Sequence, residues 1–340
     1  MSWLSKLNAD PIPWLLGDDS PDVRFQTLQY LHGRPADDPD VLAARKSAYE
    51  QGAIAAILDA MHPSGYWVKP GPGYSHNYRA TTWSILLLAQ LGASTHADER
   101  IATACAYVLE HTLSQHGQFS TSGVPSGTVD CLHGNLSWAL LTLGCTDSRL
   151  EQAFQWTARS ILGEGIAPLG DSSAVLAYQK AKCGPNFACG YNNNRSCAWG
   201  CVKLLLALGR YNNPHNDPLI QQATQRGIDF LLSIDPASGA YPARHNNKPD
   251  PRWQKFGFPV FYVTDLLQLL DVIVSLGCGS DPRLEHAKAT ILQKQDAHGR
   301  WNLDYDYTGK TWASFGELKQ PSKWVTLRAL RTLKAIEEGI

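Results

Sequence analysis

The chain has 340 residues, of which 44% are hydrophobic and 18% charged, and its formal net charge is -1 at pH 7. This composition is typical of a globular protein, and the absence of a basic excess argues against nucleic acid as the main partner. No apolar run is long enough for a membrane span, and no signal peptide opens the chain, so we expect a cytoplasmic protein. In a reducing compartment the eight cysteines are expected to be buried or metal-bound rather than paired in disulfides.

Two kinds of helix are predicted to alternate along the chain. Strongly apolar helices are predicted to start near residues 21, 78, 131, 197, 258 and 322. One-faced amphipathic helices are predicted over 39–61, 97–115, 147–162, 217–235 and 281–296. An all-round apolar helix must be buried, and a one-faced helix can cover it. The alternation therefore predicts an all-α fold, a single α/α toroid of about six inner and five to six outer helices. Residues 1–340 would form one domain, and no β-sheet is predicted because no segment alternates with period two.

A recurring turn separates these helices. The segment 295–301 reads Gln-x-x-x-Gly-x-Trp. Weaker copies keep only the Gly-x-aromatic part of this pattern, and their aromatic residues are Trp67, Phe119 and Tyr241. The glycine permits a tight reversal, and the aromatic ring can cover the end of the preceding helix. A spacing of roughly 50 to 60 residues suits repeated helical hairpins. A long inserted loop, 163–196, interrupts this rhythm.

A toroid of this kind places the N-termini of all its inner helices at one mouth. The residues at the predicted starts are His76, Tyr78, Arg79, Asp130, Cys131, His133, Cys197, Cys201, Lys323 and Trp324. Thiolates are stabilised at helix N-termini, and several cysteines with a histidine can hold Zn²⁺. We predict a zinc site of Cys131, Cys189 and Cys197, with His133 or a water as fourth ligand. The alternatives are buried thiols in a packed rim and, for His133, a hydrogen-bonded residue at a helix start.

Other candidates at the mouth are cations, aromatic residues and one buried acid. Arg79 and Lys323 could bind an anionic group such as a diphosphate, although ordinary surface charge explains them equally well. The many aromatic residues predict an aromatic cavity, and the substrate-binding candidates among them are Trp83, Trp199 and Trp324. Tyr78 is a candidate for catalysis. Asp265 lies in an apolar run, where a carboxyl group is costly unless it is paired or functional. It could be an acid, a stabiliser of a cation or a structural hydrogen-bonding hub.

The Gln-x-x-x-Gly-x-Trp segment at 295–301 resembles the turn of terpenoid cyclases, including squalene cyclases, and protein prenyltransferases, and the likeness extends over about 40 to 337. Four segments, 69–75, 131–135, 197–200 and 321–330, are also similar to a bacterial prenyltransferase-like family often labelled as a nitrogen-fixation protein. The chain lacks the phosphate loop that this label requires. The resemblance implies an α/α toroid whose aromatic cavity shields an isoprenoid chain or carbocation. It also implies a possible partner subunit or homo-oligomer.

The chain departs from each of these relatives. It lacks the Asp-x-Asp-Asp acid motif of proton-initiated cyclases and the Asp-x-Cys spacing of prenyltransferase β subunits. Three hypotheses follow. The first is an isoprenoid-handling enzyme with an aromatic cavity and a zinc-thiolate site at its mouth. The second is a metal-independent terpenoid cyclase that uses Asp265 as acid. The third is a non-catalytic scaffold that binds a lipid or peptide and holds a structural metal.

Overall fold

The structure is a computed structural model that describes residues 3–163, 183–211, 217–243, 249–307 and 309–339. The α-helices in these ranges, in chain order, are α1 Ile12–Leu15, α2 Pro21–Gln26, α3 Pro39–Gln51, α4 Ala53–Asp59, α5 Thr81–Gln90, α6 Glu99–Thr112, α7 Asp130–Leu143, α8 Arg149–Leu162, α9 Ala198–Arg210, α10 Pro218–Leu231, α11 Leu266–Ile273, α12 Glu285–Gln293 and α13 Lys323–Glu338. Short π-helical segments, Thr27–Leu31 and Val274–Cys278, continue α2 and α11. None of these helices is long and apolar enough to cross a membrane.

Six of the helices, α2, α5, α7, α9, α11 and α13, form a closed inner ring. From α5 onward each of them packs against the next, and α13 packs against α2. The ring closes between α2 and α5, where the Gln26 side chain donates a hydrogen bond to the carbonyl oxygen of Gln90. Nine of the ten residues of α5 are buried, as an all-round apolar helix requires. The outer helices α3, α6, α8, α10 and α12 each pack on the inner helix before them. This double ring confirms the predicted all-α toroid.

The Gln-x-x-x-Gly-x-Trp turn has a defined structural role. Trp301 is fully buried, and its indole N–H donates to the carbonyl oxygen of Ile291 at 2.8 Å, which ties the turn to α12. Its backbone N–H donates to the Thr326 hydroxyl in α13 at 3.0 Å. Gly299 has φ +70°, and a Cβ there would lie 2.2 Å from the carbonyl oxygen of Ala9. Only glycine therefore fits this turn.

The degenerate copy at Trp67 repeats this geometry. Trp67 is fully buried and donates from its indole N–H to the carbonyl oxygen of Ile57 at 2.7 Å. Its backbone N–H donates to the Thr81 hydroxyl at the start of α5, at 3.1 Å. Gly65 has φ +90°, and a Cβ there would lie 2.7 Å from the carbonyl oxygen of Thr103 in α6. The turn thus joins α4, the inner helix α5 and the outer helix α6.

Two predicted helices differ from those in the structure. The helix predicted over 39–61 breaks at Gly52, because the Asp22 carboxylate accepts the Ala53 N–H at 3.1 Å and starts a new helix, α4. The helix predicted from 258 begins only at 266. Pro259 has no N–H to donate, and Asp265 caps the helix by accepting the N–H of Gln268 at 2.7 Å.

The predicted insertion contains a small sheet that was not expected. The strands β1 Cys183–Gly184, β2 Ala188–Cys189 and β3 Arg195–Ser196 form an antiparallel sheet in that order. Strands of two residues are too short to produce a period-two pattern in the sequence. The earlier part of the insertion, 164–182, lies outside the described residues.

Candidate functional site

A cavity of about 960 Å³ lies where α5, α7, α9 and α11 begin. Nine of the residues that line it are aromatic, namely Tyr74, Tyr78, Tyr191, Trp199, Tyr241, Trp253, Tyr262, Tyr305 and Tyr307. The volume falls within the range of about 300 to 1,000 Å³ that is usual for small-molecule sites. Residues 183–265 supply most of this lining, including the inserted sheet and the loop before α11.

The wall before α5 is a cluster of packed rings. Tyr78 stacks on Phe261 with ring centroids 5.2 Å apart and lies 4.1 Å from the ring of Tyr307. Trp83 does not line the cavity but packs behind it, 5.0 Å from Tyr78, and its indole N–H donates to the carbonyl oxygen of Tyr74. Burial raises the pKa of Tyr78. The predicted substrate-binding Trp83 therefore supports the cavity wall, whereas Tyr78 forms part of it.

Three cysteines also line the cavity. Cys131, in the first turn of α7, lines the cavity together with Cys189 of β2 and Cys197, the residue before α9. The Cys197 thiol is hydrogen-bonded to the Cys189 sulfur, which also receives the backbone N–H groups of Tyr191 and Asn192. The bond from Cys197 lowers the pKa of Cys189 to about 6, and the same bond raises the pKa of Cys197. Burial raises the pKa of Cys131 to about 12. Cys189 is thus the most acidic of these three thiols.

A second layer of polar groups lies behind these thiols. Asp130 is 5% exposed, and burial raises the pKa of its carboxyl group to about 7. The Cys183 thiol donates to the carbonyl oxygen of Thr128 at 3.5 Å and partly offsets the rise in the pKa of Asp130, and Gly200 of α9 packs on the Cβ of Asp130. Among the described residues no group hydrogen-bonds to the Oδ1 atom of Asp130.

His133 does not lie with the cysteines. Its Nδ1 accepts the backbone N–H of Phe119 at 3.0 Å, and its Nε2 lies 2.7 Å from the Thr157 hydroxyl. The ring is fully buried, and burial lowers its pKa to about 3. At the Phe119 turn His133 accepts the bond that Thr81 and Thr326 accept at the tryptophan turns. Both ring nitrogens of His133 are thus engaged, Nδ1 by the turn and Nε2 by Thr157 of α8, and the ligand and catalytic roles of His133 stay predictions from the sequence.

Asp265 is an ion-paired residue outside the cavity lining. Its two oxygens accept both terminal nitrogens of Arg328, at 2.9 and 3.0 Å, and one of them also caps α11 at the N–H of Gln268. Asp265 is fully buried. This geometry matches the structural hub among the three roles considered for Asp265. A donor for catalysis would have to face the cavity, and Asp265 is not among its lining residues.

Lys203 was missed by the sequence analysis. It lies in α9, fully buried, and donates a hydrogen bond to the side-chain oxygen of Gln268. Burial lowers its pKa to about 7, although the nearby Asp265 carboxylate raises it in part. A lysine within the apolar run of α9 is as unusual as Asp265 in its own run, and the same signal could have identified it.

The two cations predicted to bind a diphosphate are engaged elsewhere. Arg79 donates to the carbonyl oxygen of Thr311 and covers the Trp312 ring, and the Lys323 ammonium group pairs with Asp19. Neither Arg79 nor Lys323 lines the cavity, and the predicted Trp324 stacks on a neighbouring phenylalanine ring within the core.

A different arginine occupies the cavity wall. The guanidinium carbon of Arg252 lies 4.7 Å from the ring centroid of Trp199. Trp199 was predicted to bind substrate, and it lines the cavity. The guanidinium group of Arg252 pairs with Asp250 at 2.7 Å. Arg252 was not predicted, because nothing in its local sequence distinguishes it from arginines at the starts of outer helices.

The predicted metal site is only partly assembled. Three of its four candidate ligands, Cys131, Cys189 and Cys197, share one cavity wall, and His133 lies apart from them. Over the described ranges, no three histidine, cysteine, aspartate or glutamate side chains are grouped so that they could hold a metal ion. Zinc stays a prediction from the sequence.

No family model matches the chain, and no curated protein matches it. Among solved structures, a protein from Actinoplanes is 12% identical with a TM-score of 0.38, over 86% of this chain and 99% of that one. The type II terpene cyclase MstE from Scytonema, in complex with geranylgeranyl dihydroxybenzoate, is 12% identical with a TM-score of 0.35, over 85% of this chain and 96% of that one. Because these identities and TM-scores are low, the ring is established by the chain's own contacts alone.

Proposed function

We propose that this chain is an isoprenoid-handling enzyme that binds the apolar chain of its substrate in the aromatic cavity. The cavity itself is the observation that carries the proposal. Its volume of about 960 Å³ and its wall of tyrosine and tryptophan rings suit a long apolar ligand. Ring faces also stabilise a developing carbocation without offering a base that would quench it.

The groups that would act on such a ligand are the thiols and Arg252. Cys189 has the lowest pKa of the three thiols on the wall, so it is the best nucleophile for alkyl transfer. Arg252 takes the place proposed for Arg79 and Lys323, because its guanidinium group lines the cavity and theirs do not. It would hold an anionic headgroup while Trp199 contacts the apolar chain.

The binding step can be tested with the full chain and two pairs of probes. Farnesyl and geranylgeranyl diphosphates, together with the matching alcohols, should quench tryptophan fluorescence on binding. Trp199→Ala should weaken binding of all four probes about tenfold, which corresponds to about 1.4 kcal/mol. Arg252→Gln should weaken only the diphosphates. Arg283→Gln is the matched control, because Arg283 makes the same aspartate pair at an outer helix away from the cavity.

Two outcomes would count against the proposal. Failure of all four probes to bind would remove the isoprenoid as substrate class. Binding without consumption of any probe, in the presence of thiol and hydroxyl acceptors, would favour the non-catalytic scaffold. Metal analysis of the same reduced protein tests the zinc prediction separately.

A proton-initiated cyclase that uses Asp265 is a weaker candidate. The carboxylate is held by Arg328 and by the first turn of α11, so both of its oxygens already accept structural hydrogen bonds. No observation at the cavity wall supports this role.

A further inference from the structure

Two of the cavity thiols are already in contact. Cys189 lies in β2, and Cys197 follows β3 directly as the residue before α9. Their side chains are hydrogen-bonded to each other, and both line the cavity. A thiol pair in contact on a ligand-accessible wall has the basic requirement for disulfide chemistry.

The backbone holds these two thiols together. Cys189 pairs with Arg195 across β2 and β3, and the N–H of Asn194 donates to the Cys189 carbonyl oxygen at 2.9 Å. The N–H of Cys197 donates to the carbonyl oxygen of Phe187 at 2.9 Å, and the Phe187 side chain is 1% exposed. Both cysteines therefore belong to one hairpin that is anchored in the core. Their contact is part of the fold rather than a chance meeting of surface side chains.

A second thiol pair in the chain has a different setting. Cys105 in α6 is hydrogen-bonded to Cys145, which follows α7, and neither residue lines the cavity. Cys105 is buried within a helix, with 2% of its surface exposed. This pair has the same thiol contact without access to the cavity, so it is a matched internal control.

We infer that Cys189 and Cys197 form a redox-active dithiol on the cavity wall, which exchanges with a disulfide of low molecular mass such as oxidised glutathione. The Cys189 thiolate attacks one sulfur of the disulfide, that S–S bond breaks, and one glutathione thiolate leaves and takes up a proton. The Cys197 sulfur, on losing its own proton, then attacks the Cys189 sulfur and releases the second glutathione as a thiol. The protein loses two electrons and two protons, and one disulfide yields two thiols.

This inference goes beyond the proposed function, because the exchange requires no isoprenoid. The two are nevertheless connected through the cavity, since an intramolecular disulfide would remove the nucleophile proposed for alkyl transfer. The sequence-based zinc prediction is an exclusive alternative at Cys189, because a thiolate that ligates zinc is protected from the exchange.

The experiment uses the full chain, reduced and then titrated with oxidised glutathione, with intact mass and peptide mapping as readouts. The expected product has lost two hydrogens and carries a Cys189–Cys197 disulfide, before any change at Cys105 and Cys145. Cys197→Ser should stop at a stable glutathione adduct on Cys189. Cys189→Ser should give neither product at this wall. A Cys105→Ser, Cys145→Ser double variant should behave as the parent chain, and circular dichroism confirms that each variant is folded.

Three results would overturn the inference. The first is an initial disulfide that maps to Cys105 and Cys145. The second is a disulfide that joins Cys189 to Cys131 instead of Cys197. The third is zinc in the reduced protein that protects Cys189 until a chelator removes it. Failure of oxidised glutathione to produce any disulfide would also overturn it. The fluorescence titration with prenyl probes is independent of these readouts, so the proposed function can fail while the dithiol stands, and the reverse.

Discussion

Two regions of this molecule differ in how closely they repeat the same turn. The tryptophan turns at Trp67 and Trp301 are far apart in the sequence, yet each donates an indole N–H to an isoleucine carbonyl oxygen ten residues earlier. Each also donates its backbone N–H to a threonine hydroxyl on an inner helix. The segment 183–265 keeps only a weaker copy of this turn, in which the Tyr241 hydroxyl donates to the carbonyl oxygen of Leu231, also ten residues earlier. It contains two-residue strands, a proline-interrupted run before α11 and most of the cavity lining.

The same contrast is visible in one short motif. An aspartate followed two residues later by a paired arginine precedes the outer helices at Asp98, Asp147 and Asp281. The fourth copy, Asp250 with Arg252, precedes no helix and lines the cavity instead. Repeated motifs therefore stabilise the ring, whereas segments that depart from the repeat supply most of the cavity lining. This difference predicts that mutations in the two regions have separable effects on stability and on binding.

The largest expected effect is on the repeated turn. Trp301→Ala should lower the free energy of unfolding by about 3 to 5 kcal/mol, because it empties a fully buried site and leaves the carbonyl oxygen of Ile291 without its donor. Trp199→Ala is the matched change in the other region, and it should cost less than about 1 kcal/mol while it weakens ligand binding. Urea denaturation measures both, and equal losses at the two sites would contradict the separation.

A comparable effect is expected at the buried ion pair. Asp265→Asn should cost about 3 to 5 kcal/mol, because it leaves the charge of Arg328 buried without its carboxylate. Asp250→Asn breaks a pair whose arginine side chain is 52% exposed, and such pairs contribute about 0 to 1 kcal/mol. An Asp265→Asn protein that keeps its stability but loses turnover of a polyprene would instead support the cyclase hypothesis.

The ring could be predicted from the sequence, because helix burial leaves a local signal. The six inner helices were found from apolar runs, and the main error, the start of α11, arose where Pro259 and Asp265 override an apolar pattern. The partners of polar residues leave no such signal. Lys323 pairs with Asp19, about 300 positions away in the sequence, and nothing local indicates that this removes it from the site.

The cysteines were the more predictable part of the site, for a topological reason. Inner helices that share a direction bring Cys131 and Cys197 to one end of the ring, whatever the intervening sequence. His133 lies only two residues from Cys131, but a helix turns through about 200° over two residues, so its ring faces elsewhere. Proximity in sequence was therefore a poor guide to proximity in the site.

A smaller effect is expected from the titration of Lys203, which should change the free energy of unfolding with pH by a few kcal/mol at most. Its pKa of about 7 in the folded chain is below the ordinary 10.5, so between these values the unfolded chain binds the extra proton. Stability from this residue therefore rises with pH across that window, and below pH 7 the cost of burying the charge is fully present. The nearby charged groups are Asp265 and Arg328, and the Cys131 thiol also faces it.

Lys203→Met should remove that rise, since methionine fills similar space without a titrating group. The measurement is the free energy of unfolding of both proteins from pH 6 to pH 10, compared as a difference so that other groups cancel. A difference that stays constant across this range would show that the Lys203 ammonium group does not titrate there.

The smallest effect tests whether His133 belongs to the repeat or to the thiols. Threonine accepts the aromatic backbone N–H at the other two turns, so His133→Thr can keep the bond from Phe119, whereas His133→Val, of the same shape, cannot. The threonine variant should be more stable than the valine variant by about 0.5 to 1.5 kcal/mol. Both variants lose the same ring volume and the same contact with Thr157, so their difference isolates the turn bond. Unfolding free energies measure it, and metal content, measured in parallel, should be the same in both variants and in the parent chain. A fall in bound metal in both variants would return His133 to the thiol site and remove it from the repeat.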